Sequence, residues 1–475
     1  MAKHSFPLEH ATWRGVMALV LAGLYLVSGA LVGAVRALPP ASGAISLVGQ
    51  LTLPEMTIRN SDIWGWVDPN TSKEYAVIGK WPSFEAKLYI VDITTPTSPF
   101  LVNVIDSVPA FDVKVWQTGT STYLYSCDGN SSGTDSEIWN VTNPLSPVFE
   151  GTFPSCHNIF IDDQGYMYLS FSTLRIYNLN PDPTAPAFVW TDGLAGGHDA
   201  TVIGNRLYDF HGYDGTFIYD VSNRNTPIQL GMIPEPSGIA YHHSGWTSAD
   251  GKFLFINDEL GSPSTADITV WNIANPVIPF KVDEYIDPNA TIHNSFRKGD
   301  YLYTSFYVAG FRVFDIGAPW SIFLSDEYDT APGYTGNGVY EGCWGVYAGS
   351  PSGLILASDM QNGLYIFSFS PPAATGVPDD VPQTSFVLNQ NYPNPFNPST
   401  TISYELPLDA HVTLTVFSAT GGKVRTLIDT RKPAGPQSVS WNGENDEGKP
   451  VASGVYFYTL QVGVSSSTKR MILLK

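Results

Sequence analysis

Cysteine is scarce in this chain: 475 residues carry only Cys127, Cys156 and Cys343. Three cannot build a disulfide scaffold, so the fold must rest on an apolar core. Basic charge is also short. Lys and Arg number 24 against 44 Asp and Glu, a formal net charge of −20. That balance excludes nucleic acid, whose phosphates need clustered cations, and adhesion to anionic membranes. It suits solubility in an exposed, salty environment. Amphipathic helical stretches are missing after the N-terminus. No phosphate loop, nucleotide fingerprint, nucleophile elbow or zinc-helix motif appears.

Gly and Pro are plentiful, at 43 and 36 residues, and aromatics make up 13% of the chain. Without helical periodicity this reads as all-β with many turns. A short phrase recurs seven times: Tyr89-Ile-Val-Asp92, Glu137-Ile-Trp-Asn140, Arg175-Ile-Tyr-Asn178, Phe217-Ile-Tyr-Asp220, Thr269-Val-Trp-Asn272, Arg312-Val-Phe-Asp315 and Tyr365-Ile-Phe-Ser368. The spacing, roughly 38 to 53 residues, falls within the range of repeat architectures. Each phrase is a β-branched and aromatic run closed by a side chain able to bond back to its own backbone. Pro96, Pro144, Pro227 and Pro276 follow soon after and stop the strand.

Each unit holds four strand-like segments. In unit four they are Ala200–Ile203, Arg206–Phe210, Thr216–Asp220 and Ile228–Ile233. Four antiparallel strands at this period predict a blade of a β-propeller. Unit seven lacks a fourth strand, because Ser368 runs into Ser370-Pro-Pro-Ala. A spare strand, Ile45–Leu53, lies upstream of unit one. It is expected to complete blade seven and close a seven-bladed propeller over residues 45–371.

The repeated phrases resemble the LVIVD repeat of bacterial and archaeal surface propellers, with unit four the fullest match. The wider group is similar to surface proteins that pair one propeller with varying C-terminal sorting modules. The resemblance implies a fold and a location, and no reaction.

Composition changes after Pro371. Residues 372–385 read as a linker rich in Pro and small residues. Residues 386–475 alternate as short strands, among them Val412–Phe417, Gln437–Trp441 and Gly454–Leu460, and predict a small immunoglobulin-like β-sandwich. The Tyr392-Pro-Asn-Pro-Phe-Asn-Pro398 run, the Ala452–Tyr458 strand and the Lys469–Lys475 end resemble a type A sorting domain of the type IX secretion system. That implies the type IX machinery as a partner and a destination at the outer-membrane surface or outside the cell. The alternative is an ordinary immunoglobulin-like tail. Residues 1–37 agree with export: Lys3, His4 and Arg14 precede an apolar run from Val16 to Val35, and Val35-Arg36-Ala37 fits a cleavage site. The alternative there is an uncleaved anchor. Once the segment is removed, no remaining run is long enough to span a bilayer.

Histidine carries the chemistry. Of nine in the chain, His157, His198, His293 and the pair His242-His243 stand just before the first strands of units three to six. First strands line a propeller's channel and all begin on one face. Second strands end on that face, at Cys127 and Asp128, His211, Asp258 and Glu259, and Asp359; Glu341, Cys343 and Trp344 open unit seven. The expected metal-ligating set is therefore His157, His198, His211, His242, His243 and His293, suited to Zn, Cu, Fe or Ni. Glu259 is the candidate general base. Asp128, Trp246, Asp258, Glu341, Trp344 and Asp359 are candidate ligand-binding residues, the Trp side chains by stacking on sugar rings. The repeat register suggests a Cys127–Cys156 bridge, which leaves Cys343 free. Against this stands a purely structural reading, in which a histidine that recurs with the fold serves the fold. Three functions follow: a binding or adhesion module for a surface glycan or protein, a metal-dependent oxidoreductase or hydrolase, or a passive structural surface component.

Overall fold

The computed structural model describes residues 43–54, 59–80, 86–129, 135–171, 173–235, 237–372, 386–406, 410–419, 422–462 and 465–475. Residues 1–37, expected to be an export signal, and nearly all of the expected linker 372–385 lie outside them. The described elements are strands. No helix among the described residues is long and apolar enough to cross a membrane.

Seven four-stranded antiparallel sheets come first in the chain. Their inner strands are Asn60–Val67, Asp112–Thr118, Asn158–Ile161, Asp199–Ile203, His242–Thr247, Ser295–Lys298 and Cys343–Tyr347, taken as blades 1 to 7. Each inner strand neighbours the next, and the seventh neighbours the first, so the blades form a closed ring around a channel. In blade 4 the strands are Asp199–Ile203, Arg206–Phe210, Thr216–Asp220 and Ile228–Ile233.

The repeated phrase is each blade's third strand, and its parts have separate jobs. The central aliphatic residue is fully buried in every copy: Ile90, Ile138, Ile176, Ile218, Val270, Val313 and Ile366. Each such burial contributes about 1.5–3 kcal/mol. The closing Asp or Asn turns the chain. Asp92, Asn140, Asn178, Asp220, Asn272 and Asp315 each accept the backbone N–H two residues on, at 2.7 to 3.1 Å. Ser368, the exception, stays inside strand Gly363–Ser370.

That longer strand meets the spare one. Ala44–Leu51 pairs antiparallel with Gly363–Ser370 and supplies the fourth strand of blade 7. The pairing carries a register shift between Leu47 and Gly49. The third-to-outer pairings of blades 1 to 6 carry the same kind of shift, for example Ile218/Tyr219 in blade 4. Glycine marks where neighbouring blades approach. A Cβ on Gly231 of blade 4 would collide with the Pro276 carbonyl of blade 5, and one on Gly49 with the Pro96 carbonyl of blade 1. The seam between the ends of the ring is thus built like an ordinary blade contact.

Residues 386–475 form two further sheets. One orders Val387–Leu388, Thr400–Leu406 and Gly435–Trp441; the other Lys423–Lys432, Ala410–Ser418, Gly454–Val462 and Ser465–Leu473. They share a core that includes Phe396, Ile402, Trp441, Tyr458 and Met471. The Tyr392–Pro398 run is tied into this core. Phe396 is buried against Trp441 at 5.6 Å, and its backbone bonds to Ile472 and Leu474 at 2.9 Å each. Asn391 is buried and binds the Pro393 carbonyl and Thr400.

Candidate functional site at the channel mouth

Each inner strand places one residue at the mouth of the channel. In blades 2 to 7 these are Phe111, His157, His198, His243, His293 and Trp344. Their rings close a circle. Successive centroids lie 4.9, 4.3, 4.4, 4.7, 4.3 and, from Trp344 back to Phe111, 5.4 Å apart. Blade 1 contributes no ring to this circle. Four imidazoles from four successive blades therefore form an unbroken tilted stack.

Hydrogen bonding assigns their tautomers. Nδ1 of His157 lies 2.8 Å from the Gly129 carbonyl, and Nδ1 of His293 2.6 Å from the Trp344 carbonyl. Nδ1 of His198 faces the His243 carbonyl at 3.3 Å and Asp199 Oδ1 at 3.1 Å. Carbonyl and carboxylate oxygens only accept, so all three Nδ1 atoms carry the hydrogen. Ser244 Oγ donates to the His293 carbonyl at 3.2 Å, so it accepts from His243 Nδ1 at 3.0 Å. In the neutral ring each Nε2 keeps a lone pair. That is the arrangement of metal-ligating histidines, whose other nitrogen is held by a protein acceptor.

The four rings differ in charge. Burial, helped by His198, pushes His157 down to about 4. Burial, with His198 and His293 on either side, pushes His243 well below its ordinary range. Burial also opposes charge on His198, but Asp199 beside it wins and lifts its pKa. His198 is thus held toward its charged form between two rings driven toward the neutral one.

The carboxylates sharpen this. Glu259 Oε2 lies 3.3 Å from His243 Nε2, and Glu259 Oε1 accepts the Tyr307 hydroxyl at 2.5 Å. Tyr307 is buried and takes φ +31°, a left-handed value rare for a bulky residue. Ligand atoms of His198, His243 and Glu259 lie within 4.8 Å of one another, as do those of His157, His198 and Asp199. An open pocket of about 430 Å³, lined by His157, His198, Tyr241, Phe171, Gly196 and Gly197, faces the stack. Behind the stack a cavity of about 90 Å³ lies in the channel, bounded by Trp64, Phe160, Trp246 and Phe296. Lys114 reaches into it, 2.6 Å from Asp62 and bonded to Asp112, and stays charged between the two carboxylates. That volume accommodates several waters or a small ion.

The other expected residues are placed differently. His242 does not join the ring. Its Nδ1 bonds Thr216 at 2.7 Å and its Nε2 bonds Glu235 at 2.8 Å, so both nitrogens are used between blades 4 and 5. His211 also stands apart, held by Asp209 at 2.6 Å. Asp258 accepts the N–H groups of Ala240 and Tyr241, Asp359 those of Gln361 and Asn362, and Asp128 the Ser155 hydroxyl. These three carboxylates shape loops. Glu341 pairs with Arg59 at 2.6 Å across the blade 7 to blade 1 seam. Trp246 lines the inner cavity, packed 4.6 Å from Phe296, and offers no face to the outer pocket. Trp344 belongs to the ring itself. Cys127 and Cys156 do meet, but as buried free thiols, with Cys127 donating to the His157 carbonyl at 3.4 Å. Burial and the neighbouring Cys156 push the Cys127 thiol up, which suits the reduced form.

Sequence reasoning passed over Phe111, Lys114, Asp62, Asp112, Asp199, Tyr241 and Tyr307. Phe111 had a signal, since it occupies the histidine position one blade earlier.

Residues 72–107 and 298–330 match the LVIVD repeat, and residues 394–467 match the FlgD Ig-like domain. The repeat matches fall in blades 1 and 6 rather than in blade 4. No curated protein matches the chain. Among solved structures, PorZ, a surface component of the type-IX secretion system of Porphyromonas gingivalis, is similar at 13% identity and TM-score 0.43, over 85% of this chain and 58% of its own. BamB from Moraxella catarrhalis is similar at 12% and 0.42, over 69% and 98%. The WD40 repeats of RRP9 are similar at 10% and 0.48, over 69% and 100%.

Proposed function

We propose that this chain is an exported bacterial surface propeller that acts as a binding module, with its ligand taken at the histidine mouth. One observation carries the reading: four stacked imidazoles are each fixed through Nδ1, and two of them, His157 and His198, line an open pocket of about 430 Å³ while His243 and His293 border the inner cavity. A packing role does not require that Nδ1 of every one of the four rings be held by an acceptor. A transition-metal ion of the Zn, Cu, Fe or Ni class fits this donor set, with Glu259 or Asp199 completing it. A surface glycan or protein segment is the metal-free ligand, with Tyr241 and His198 as its contacts.

A second reading, a metal-dependent enzyme, is favoured by the Tyr307–Glu259–His243 chain. There Glu259 takes a proton and Tyr307 fixes its orientation. For the C-terminal sandwich we propose a type IX sorting domain, supported by the Tyr392–Pro398 run, which is anchored in the sandwich core through the buried Phe396, with residues 1–37 as the export signal and 372–385 as the linker. Deleting residues 386–475 should then trap the protein short of the cell surface. For the mouth, metal analysis of the full chain is set beside a variant with His157, His198, His243 and His293 changed to Ala. Metal carried by the wild type and lost in the folded variant supports the metal reading. Equal metal in both sinks it, and glycan and protein binding then become the assay.

A further inference from the structure

His211 lies outside the ring, and its surroundings are unusual in their own right. Asp192, just past the outer strand Ala187–Thr191 of blade 3, and Asp209, in strand Arg206–Phe210 of blade 4, converge on its Nε2. The distances are 2.6 Å to Asp209 Oδ2 and 3.4 Å to Asp192 Oδ2. All three side chains are shut away, at 2% exposure for Asp192, 0% for Asp209 and 1% for His211. Of the carboxylate oxygens here, Asp209 Oδ1 has no hydrogen-bond partner, and Asp192 Oδ2 has only the long 3.4 Å approach of His211 Nε2. Among the described residues no Lys or Arg forms an ion pair with either Asp. Asp192 is fixed from behind, because its Oδ1 accepts the N–H groups of Leu174 at 3.2 Å and Leu194 at 3.0 Å.

Buried carboxylate oxygens without partners are costly, and buried charge is normally paired or bound to metal. With a protonated His211 the cluster still carries a net negative charge, and Asp209 Oδ1 stays without a partner. With a neutral His211 and a divalent cation the charge cancels and that oxygen finds a partner. His211 Nε2 and Asp192 Oδ2, 3.4 Å apart, would subtend a tetrahedral angle at an ion bonded at about 2.1 Å, while the 2.6 Å contact to Asp209 Oδ2 opens as Nε2 gives up its proton. Gly197 leaves room beside these atoms. A Cβ there would stand 3.7 Å from His211 Nε2 and 3.8 Å from Asp209 Oδ1. Gly197 also lines the outer pocket, which gives an ion its route in.

We infer that Asp192, Asp209 and His211 form a second, buried divalent-cation site that staples blade 3 to blade 4. The mixed nitrogen and oxygen set suits Zn²⁺, Mn²⁺ or Fe²⁺. The site is independent of the histidine mouth, and its role is to hold the outer pocket's wall in place.

The test is metal content of the full chain by elemental analysis after dialysis against Zn²⁺ or Mn²⁺. Asp209→Asn and Asp192→Asn, which keep side-chain shape, should each lose one equivalent relative to wild type. The variant lacking the four mouth histidines should keep that equivalent, so failure of the mouth reading and failure of this one are distinguishable. Folded Asp209→Asn and Asp192→Asn proteins with wild-type metal content overturn the proposal. Should neither variant fold, chelator-stripped wild type decides: a melting temperature raised by returning Zn²⁺ or Mn²⁺, and raised equally in the mouth variant, supports the site. No rise in either protein means a proton shared by the carboxylates replaces the ion, and overturns it.

Discussion

Two features of the propeller repeat once per blade, and they behave in opposite ways. The turn after each third strand uses the same side-chain type in the same bond, whether it is Asp92, Asp220 or Asp315. The mouth also uses one residue type, but gives each copy a different neighbourhood. His157 is driven neutral, His198 is held toward its charged form, and His243 is driven neutral beside Glu259. Uniform surroundings mark a residue that serves the fold. Divergent surroundings at equivalent positions mark a ring whose members have been assigned separate tasks.

The largest way to strain the contrast is through the channel. Lys114→Met leaves Asp62 and Asp112 buried without their cation and should cost about 3–5 kcal/mol in denaturant unfolding. No single mouth histidine should approach that. A pH series with His242→Gln comes next. Burial holds His242 neutral in the folded chain down to about 4, while the unfolded chain takes up the proton near 6.5. A depressed histidine pKa means stability present above the unfolded value and lost below it. The wild type should therefore lose up to about 3 kcal/mol relative to His242→Gln as pH falls from ~6.5 to ~4. A flat difference across that window would count against the buried neutral ring.

The contrast is sharpened most directly by nitrogen NMR of the imidazoles near pH 6.5. His198 should show the imidazolium signature, and His157 and His243 the neutral ring with hydrogen on Nδ1. Identical spectra for all three would return the mouth to the class of the turns. The smallest effect belongs to the turns. Asp220→Ala and Asp315→Ala should each lower the melting temperature slightly, and by similar amounts. Unequal costs would show that the blades are less equivalent than their hydrogen bonds suggest.

The fold was readable because its signals are local and repeated. A β-branched run closed by Asp or Asn fixes the third strand, and the blade 4 strands lie within one residue of their sequence-based bounds. The mouth was half readable. His157, His198 and His293 share a register that the repeat itself exposes. The doublet His242-His243 does not, because a register shift between His242 and Ser244 decides which of the two faces the channel. A bulge depends on contacts with the neighbouring strand, and sequence spacing does not encode it. The surroundings of His211 were hidden for a related reason. Its partner Asp192 lies in another sheet, reached only after blade 3 packs on blade 4. Tyr307 and Lys114 gave no signal, since an isolated Tyr or Lys in a strand reads as ordinary surface.

The strand Ala44–Leu51 has a kinetic consequence. Every other blade can be completed from consecutive segments as the chain emerges, but the last pairing joins Ala44 to Ser370. Closure of the circle is therefore a late event of high contact order, and until it happens Gly363–Ser370 is an open sheet edge. A chain clipped ahead of Gly49 should leave that edge bare. It would then accept the same strand from an unclipped second molecule, turning a self-sealing ring into the start of a linked pair.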